Sequence, residues 1–497
     1  MEKFIASSAF EKATIKRLSA AVQVKTESYD DLGKIGEDKR WDVQYDFNKY
    51  LKKTFPRIFS QLRIEYVNTH GLFITWNGTE PELKPTLLMA HMDTVPVPPE
   101  TIDQWTHPPW SGYYDGKFVW GRGSSDCKNQ LLAVLESVDL LLENGFVPKR
   151  TVLMSFGFDE ERGGPQGAGH LAPFIFERYG KDALAVIVDE GGGFADNWGA
   201  SMCMPGVAEK GHIDVEIVIR MPGGHSSIPL PHTAIGVMSE LIVLIEDNPY
   251  EPHLVDKNPY LGALYCGADH APDFPDKLRK ILEKSRGHET CNAANDELAQ
   301  EAAKMSPFVR YLMQTSQAAD IIGGGVKVNA MPERVSAFVN HRINIGSTSE
   351  SVKTKVTSLA QQIAEKHNLT LHAFDDAKEE RNSIFLKAGY NELEPAPLTP
   401  TNVDELTAYA VLSGTVRALY GEDVIVAPGL MTGNTDTRYY WDLTRHIFRF
   451  APGWDGEQGG LANGVHTVDE HVSVKAHING VKWFSLFIRN MDEATLD

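Results

Sequence analysis

Three short, nearly uninterrupted apolar runs occupy the first part of the chain. They cover residues 85–93 (PTLLMAHMD), 150–161 (RTVLMSFGFDEE) and 183–193 (ALAVIVDEGGG). Strands that are covered by helices on both faces have this composition. Between the first two runs, residues 128–145 place leucine and valine at helical spacing, with Gly145 as the predicted C-terminal cap. This succession predicts an α/β domain with helices packed on a sheet.

A second group of periodic segments follows. Residues 215–227 and 333–345 are strand-like, and residues 234–245 are amphipathic at helical spacing. Residues 348–368 predict a helix that starts with a capping box formed by serine and glutamate. These segments predict a second, smaller α/β domain.

The order of the segments predicts that the first domain is interrupted by the second. We expect the first domain over residues 1–208 and again over 373–497, where 403–421 predict a helix. The second domain is then 209–372. Within it, residues from about 248–319 are rich in Pro, Lys, Asp and Glu, which indicates an insertion with helices of its own.

Composition and charge narrow the classes of partner. With 497 residues, 42% of them hydrophobic, the chain can bury a large core. A net charge of -19 without a basic cluster argues against a nucleic-acid or anionic-membrane partner. No apolar run is long enough for a membrane span, so we expect a soluble chain. The four cysteines (Cys127, Cys203, Cys266 and Cys291) are widely separated and predict neither a zinc knuckle nor a disulfide framework.

All three apolar runs stop at side chains that can bind metal. His91 and Asp93 end the first run, Glu160 and Glu161 end the second, and Asp189 ends the third. In open α/β sheets, the binding crevice lies at the carboxyl ends of the strands. Residues that are far apart in sequence are therefore expected to share one site.

Two further candidates complete a mixed set of nitrogen and oxygen ligands. Asp126 stands in the glycine-containing segment VWGRGSSDCKNQ, and His466 stands in GVHTVDEHV. Such a set suits zinc or a similar divalent ion, whereas calcium or magnesium would favour oxygen alone. The predicted ligands are His91, Asp126, Glu161, Asp189 and His466.

Five ligands exceed the number that one tetrahedral zinc ion uses. We therefore predict two ions that share Asp126. His91 and Asp189 would complete one ion, and Glu161 and His466 the other. Two such ions can hold a hydroxide and polarise a substrate carbonyl.

Adjacent glutamates would divide two tasks. Glu161 binds metal, and Glu160 acts as general base toward the attacking water. Asp93 would orient the imidazole of His91 by accepting its other N–H. Taken singly, such an acidic pair is more often a solvated loop, a lone histidine is more often structural, and Asp189 could cap a helix. Their combination at three strand ends favours the metal site.

The segments HMDTVP, WTHPPWSG, GRGSSDCKN, DEERGG, DEGGG and GVHTVDE occur in an order that resembles the co-catalytic di-zinc exopeptidase family. That family includes glutamate carboxypeptidases, aminoacylases and carboxypeptidase S. The segment RLSAAVQVKTESYDDLG and the insertion are most similar to the branch of carboxypeptidase S and N-acyl-amino-acid amidohydrolases. The resemblance implies two Zn²⁺ ions or another divalent transition metal. It also implies a catalytic domain with a central mixed sheet flanked by helices, interrupted by a smaller α/β lid or dimerisation domain.

The resemblance implies substrate-binding roles for three residues in the lid domain. His225, in GGHSSIP, matches the histidine that in relatives hydrogen-bonds the scissile carbonyl and its oxyanion, often from the partner subunit. Asn329 and Arg342, in KVNAMPERVSAFVNHR, match the segment that binds the free carboxylate of the substrate. Arginine suits that task because its planar fork pairs bidentately with a carboxylate.

Two further segments match with one departure each. TGNTDTRYY resembles a Gly-Gly-Thr-Asp loop, which implies that Gly433, Asn434 and Thr435 line the substrate site, with Asn434 in place of a glycine. Cys127 stands where relatives often carry methionine, directly after Asp126. The resemblance implies a cis peptide bond between Asp126 and Cys127.

The expected function is therefore zinc-dependent cleavage of an amide bond next to a free α-carboxylate, in short peptides or N-acyl amino acids. An aminopeptidase or deacetylase is the alternative enzyme, but Asn329 and Arg342 disfavour a site for a free amine. A catalytically silent peptide-binding relative is a further alternative, which the presence of Glu160 disfavours. A purely structural metal site would more often use cysteine.

The resemblance also bears on assembly and location. It implies a homodimer through the lid domain, although the insertion could cover that surface. It favours a vacuolar, lumenal or secreted location and leaves the cytoplasm open.

Overall fold

The computed structural model describes residues 2–285, 292–389, 391–457 and 463–496. Within them the helices are α1 (Glu2–Ile5), α2 (Ser8–Val22), α3 (Val43–Thr54), α4 (Pro56–Gln61), α5 (Lys128–Glu143), α6 (Ala168–Tyr179), α7 (Ala234–Glu246), α8 (Pro259–His270), α9 (Asp276–Ser285), α10 (Asn292–Ala302), α11 (Pro307–Tyr311), α12 (Ser349–His367), α13 (Ala408–Tyr420) and α14 (Val474–Glu493). Short 3-10 helices cover Lys39–Asp42, Pro99–Gln104, Glu160–Arg162 and Asp436–Tyr439.

The strands in the same residues are β1 (Arg63–Val67), β2 (Gly71–Trp76), β3 (Thr86–His91), β4 (Tyr113–Tyr114), β5 (Phe118–Trp120), β6 (Val152–Gly157), β7 (Val186–Gly192), β8 (Phe194–Asn197), β9 (Ala200–Cys203), β10 (Gly206–Glu209), β11 (Gly211–Arg220), β12 (Gly224–His225), β13 (Ser316–Gly324), β14 (Ala330–Met331), β15 (Arg334–Ile343), β16 (Thr370–Ala373), β17 (Ser383–Ala388), β18 (Ile425–Val426), β19 (Gly429–Met431), β20 (Ile447–Phe450) and β21 (His471–Ser473).

The chain divides into two compact units. The first unit consists of Met1–Ala208, Gly262–Phe274 and Pro397–Asp497. The second unit consists of Glu209–Leu261 and Pro275–Ala396. The second unit is therefore inserted into the first along the sequence, and Gly262–Phe274 of the first unit interrupts it in turn.

A mixed eight-stranded sheet forms the centre of the first unit, in the order β1-β2-β6-β3-β7-β20-β10-β19. Its central strands β6, β3, β7 and β20 are parallel, and antiparallel pairs flank them. The fold class predicted from the sequence is confirmed. The three apolar runs became β3, β6 and β7, as expected.

Both faces of this sheet are covered, which explains why its strands are apolar without alternation. On one face, Leu88 belongs to a core shared with Trp483 of α14 and with α5. On the other face, Leu87 packs in a core with Leu171 of α6. Helix α5 ends at Glu143, and Gly145 follows with a φ of 70°, as its predicted capping role requires.

The second unit contains a five-stranded sheet in the order β13-β15-β11-β17-β16. Strand β15 alternates between buried and more exposed residues, which is typical of a sheet with one covered face. Side chains of α7 and α12 share the core with its buried residues. The predicted capping box at α12 is present, but Thr348 and Ser351 form it rather than serine and glutamate.

The region expected to be an insertion does contain helices: α8, α9, α10 and α11 all lie within it. The free cysteines among the described residues are Cys127, Cys203 and Cys266, and Cys291 lies outside the described residues. Across the part of the chain that the structure describes, no helix combines the length and the apolar character that a bilayer crossing requires.

Candidate metal centre

Three neighbouring parallel strands bring the first candidate side chains together. His91 is the last residue of β3, and the glutamates Glu160 and Glu161 begin the 3-10 helix that follows β6. Strand β7 pairs with β3 on its other side and carries Asp189 and Glu190 near its end. Since parallel strands end at the same edge of a sheet, these residues meet although they are far apart in sequence.

Asp93 holds His91 and the glutamate turn in a fixed relation. Nδ1 of His91 lies 3.0 Å from the main-chain oxygen of Asp93 and 3.3 Å from its Oδ1. The same carboxylate accepts the backbone N–H groups of Glu160 and Glu161, each at 3.1 Å. Asp93 is fully buried, so these bonds are not shared with solvent. Since Nδ1 faces Asp93, Nε2 of His91 is the nitrogen that can bind a metal ion.

The carboxylate of Asp126 lies between two histidines. Its Oδ1 is 3.1 Å from Nε2 of His91, and its Oδ2 is 3.0 Å from Nε2 of His466. His466 also lies 3.1 Å from Oε2 of Glu161. The peptide bond between Asp126 and Cys127 is cis, as the resemblance implied. One carboxylate is thus common to two groups of potential ligands.

The structure brings Glu190, rather than Asp189, to His91. Oε1 of Glu190 lies 3.3 Å from Nε2 of His91. Among the described residues, the groups of potential ligands within 4.8 Å of one another include Glu190 and omit Asp189. Adjacent residues of a strand project to opposite faces, and Asp189 stands opposite Arg449 of β20. The expectation for Asp189 is therefore corrected in favour of its neighbour.

Glu160 lies at the edge of this cluster. Its Oε2 is 4.0 Å from Nε2 of His91. Burial, together with repulsion from Glu190, raises the pKa of Glu160 well above its usual value. A buried carboxylate with a raised pKa beside potential metal ligands has the properties of a general base.

The pKa values of the clustered side chains indicate whether these residues suit a metal ion. Burial and the neighbouring Asp126 raise the pKa of Glu161 to about 7. Burial, opposed by His91, raises the pKa of Glu190 to about 8. Hydrogen bonds with Asp126 and Glu161 raise the pKa of His466 to about 10. The cluster therefore retains protons where divalent cations would replace them, and its nitrogen and oxygen donors fit a transition metal.

The segment expected to line the substrate site lies in the same unit. Gly433 is exposed, Asn434 is half-buried and Thr435 is buried. The Thr435 side chain caps the 3-10 helix Asp436–Tyr439 by accepting from the backbone N–H of Thr437. The next side chain, Asp436, fills the space beside two glycines of the glutamate segment, where a Cβ at Gly157 would collide with it.

The remaining three predicted site residues belong to the second unit. His225 lies on β12, which pairs with β14, and the backbone N–H of Ser226 donates to the main-chain oxygen of Asn329 at 3.2 Å. These contacts place His225 and Asn329 on neighbouring segments. Arg342 lies on β15, where its backbone N–H donates to Oγ of Ser316 at 3.3 Å.

Comparison with known proteins gives the family. The sequence profile of Peptidase family M20/M25/M40 matches residues 87–490. The chain belongs to this family. M20 peptidases are metal-dependent, in agreement with the cluster of potential ligands.

Two named relatives cover almost the whole chain. Carboxypeptidase S of Saccharomyces cerevisiae is 40% identical over 98% of this chain and 85% of its own length. The N-fatty-acyl-amino acid synthase/hydrolase PM20D1 of Mus musculus is 30% identical over 97% of this chain and 88% of its own. Among solved structures, an M20 family metallo-carboxypeptidase from Sulfolobus solfataricus matches with a TM-score of 0.63 at 17% identity, covering 96% of this chain and 99% of that one. This last likeness supports the M20 fold.

A residue that the sequence patterns did not single out holds the Asp126 turn of the candidate metal centre. Glu470 is fully buried and accepts the backbone N–H groups of Ser125 (2.8 Å) and Asp126 (3.1 Å). It also pairs with the buried guanidinium of Arg122 at 2.7 Å. Glu470 therefore connects the segment that carries His466 with the turn that carries Asp126. The buried partners, Arg122 in GRGSSD and Glu470 in TVDEH, each stand four residues from a candidate ligand.

We expect Glu470→Ala to weaken metal binding, because the Asp126 turn loses two hydrogen bonds and Arg122 is left buried without its partner. Removing one member of a buried ion pair costs about 3–5 kcal/mol. Competition with a chelator should show lower zinc affinity, and thermal unfolding should show a lower midpoint. Asp469→Asn is the matched control, since Asp469 bonds Thr106 instead. Equal zinc affinity in Glu470→Ala and the wild-type chain would contradict the anchoring role.

Proposed function

We propose that this M20 peptidase is a zinc-dependent hydrolase that cleaves the amide bond next to a free α-carboxylate. Its substrates would be short peptides with a free C-terminus or N-acyl amino acids. The observation that carries the proposal is the carboxylate of Asp126, shared between His91 and His466 with Glu160 beside them. The names of the relatives, a carboxypeptidase and an N-fatty-acyl-amino acid synthase/hydrolase, support the same bond type.

We assign two Zn²⁺ ions to the two groups of ligands. Asp126 would be common to both ions. His91 and Glu190 would complete one ion, with Glu190 in the place first expected for Asp189, and Glu161 and His466 would complete the other. The separations of 3.0–3.3 Å between the potential ligand atoms support this assignment. When bound, the ions supply Lewis acidity, which polarises a carbonyl and acidifies water.

Glu160 would carry the proton. Its position beside His91 allows it to accept a proton from attacking water and deliver that proton to the leaving amine. Its buried surroundings favour this role, because burial and repulsion from Glu190 raise the pKa of Glu160 and make its carboxylate a stronger base. Asp93 would hold the His91 ring and the Glu160 backbone in the same relative positions during the reaction.

Substrate recognition would involve six further residues. Arg342 and Asn329 would bind the free carboxylate, and His225 would stabilise the oxyanion of the tetrahedral intermediate. Gly433, Asn434 and Thr435 would line the site. These roles are supported by the segments GGHSSIP, KVNAMPERVSAFVNHR and TGNTDTRYY, which resemble those of the family.

The same resemblance supports a division of labour between the units. The first unit would be catalytic, and the second would act as lid. A homodimer formed through the second unit would allow His225 to act on the partner's substrate, as the resemblance implies.

We expect the chain to release the C-terminal amino acid from an N-blocked dipeptide and to lose this activity after chelation. Zinc added back should restore release. Elemental analysis should find two zinc ions per active chain at the candidate centre, not counting zinc bound at other sites. The N-blocked dipeptide amide, which lacks the free carboxylate, is the matched control substrate. Release that persists in the fully metal-free protein would contradict zinc dependence, and equal cleavage of the amide would contradict the carboxylate requirement.

Glu160→Gln should lower kcat by about 10²–10⁴-fold, because the amide cannot carry the proton. Zinc content should stay at the wild-type level, since the assigned ligands remain. Glu177→Gln, which changes an exposed glutamate of α6, is the control for charge loss in the same unit. A kcat within about twofold of wild type in Glu160→Gln would remove Glu160 from the catalytic role.

Arg342→Ala should lower kcat/KM for the free-acid substrate by roughly 30-fold or more, because truncating one partner of a hydrogen-bonded charge pair costs about 2–5 kcal/mol. The residual rate on the dipeptide amide should change little, so that the preference for the acid shrinks. Arg334→Ala is a control on the same face of β15, eight residues away. An unchanged preference for the acid over the amide in Arg342→Ala would reject the assignment.

A further inference from the structure

A second kind of ligand group lies in the second unit, apart from the candidate metal centre in the first. Among the described residues, His232, Glu240 and His367 form a group whose potential ligand atoms all lie within 4.8 Å of one another. His232 stands directly before Thr233, the N-cap of α7, Glu240 lies on α7, and His367 is the last residue of α12. The group therefore joins the two helices that share the core of the second sheet.

The distances fit a tetrahedral ion after small side-chain movements. Nε2 of His367 lies 2.9 Å from Oε2 of Glu240, and Nδ1 of His232 lies 3.9 Å from Oε1 of the same carboxylate. Ligand atoms about 2.1 Å from a tetrahedral zinc ion are about 3.4 Å apart, which lies between these two values. The two imidazole rings stand at 74° with their centroids 4.7 Å apart.

The three side chains differ in how far they are exposed to solvent. The His367 side chain is only 5% exposed, so its position is fixed by packing. His232 is 52% exposed and can turn toward the carboxylate, while Glu240 is intermediate. An ion held by these three would keep contact with solvent and complete its coordination with water. Two imidazoles and one carboxylate with an open position are a common zinc set.

The charge around the group is consistent with a cation. The Glu240 carboxylate pairs with the ammonium group of Lys366, so it attracts a positive charge at this position. The carbonyl end of α12, which ends at His367, adds partial negative charge. Lys366 lies 2.8 Å from Oε2 of Glu240 and is the cation that occupies the carboxylate now. Its side chain is 60% exposed, so it can leave toward solvent at little cost.

We propose that His232, Glu240 and His367 bind a divalent transition metal ion, with zinc as the first choice, which fastens α7 to α12. This site is separate from the two ions assigned to the first unit and does not depend on the proposed hydrolase activity. Its role is to stabilise the second unit. Lys366 competes with the metal for Glu240, so the site fills when free zinc rises rather than at all times.

The test measures zinc bound to the full chain at a series of buffered free-zinc concentrations. The wild-type chain should bind one equivalent more than His232→Ala and than His367→Ala. Over the range of free zinc in which the wild-type chain takes up this extra equivalent, its unfolding temperature should rise. The unfolding temperatures of the two variants should stay unchanged over the same range. His372→Ala is the matched control, because His372 pairs with Glu380 in the same unit without a second imidazole.

Lys366→Gln provides a test in the opposite direction. Removing the competing charge should tighten the extra zinc equivalent by roughly tenfold, a gain that misfolding cannot imitate. Far-ultraviolet circular dichroism checks that each variant is folded. Equal zinc equivalents in the wild-type chain, His232→Ala and folded His367→Ala would overturn the proposal. An unchanged or weaker affinity in Lys366→Gln would overturn the competition between lysine and metal.

Discussion

Repulsion between buried carboxylates is the constraint on which the candidate centre depends. Asp126, Glu160, Glu161 and Glu190 crowd around two imidazoles, and burial leaves the pKa values of Glu160, Glu161 and Glu190 raised. In Asp126, hydrogen bonds from His466 and His91 outweigh burial and lower the pKa. Such crowding is costly unless protons or cations compensate it. The crowding therefore lowers the local stability of the candidate centre, and divalent ions would offset that cost.

Two buried carboxylates, outside the set of candidate ligands, hydrogen-bond to the backbone of the segments that carry those ligands. Asp93 joins the end of β3 to the Glu160 turn, and Glu470 joins the Asp126 turn to the segment of His466. Each uses one buried carboxylate to hold two consecutive backbone N–H groups. These bonds hold the main chain at Glu160, Glu161 and Asp126, so the backbone of these candidate ligands is in place before any ion arrives. This is preorganisation, which lowers the entropic cost of binding.

The sequence revealed the sheet of the first unit because both faces of its strands are covered, and that produces uninterrupted apolar runs. The same property hid which of Asp189 and Glu190 faces His91, since a strand without alternation does not show the direction of its side chains. Glu470 was missed because its partners are backbone groups and Arg122, which no spacing rule connects. Strand β17 lies in a polar region, and its pairing with β11 depends on contacts distant in sequence.

The position of the ligands along the chain also sets an order of assembly during translation. His91, Asp126 and Glu190 all lie within the first 190 residues, whereas His466 follows Glu161 by about three hundred residues, or roughly 15–60 s of synthesis. The whole second unit, which ends at Ala396, emerges in that interval. A chain that stops early can form one group of ligands and cannot form the other. Completion of the shared Asp126 site thus reports that nearly the entire polypeptide has been made.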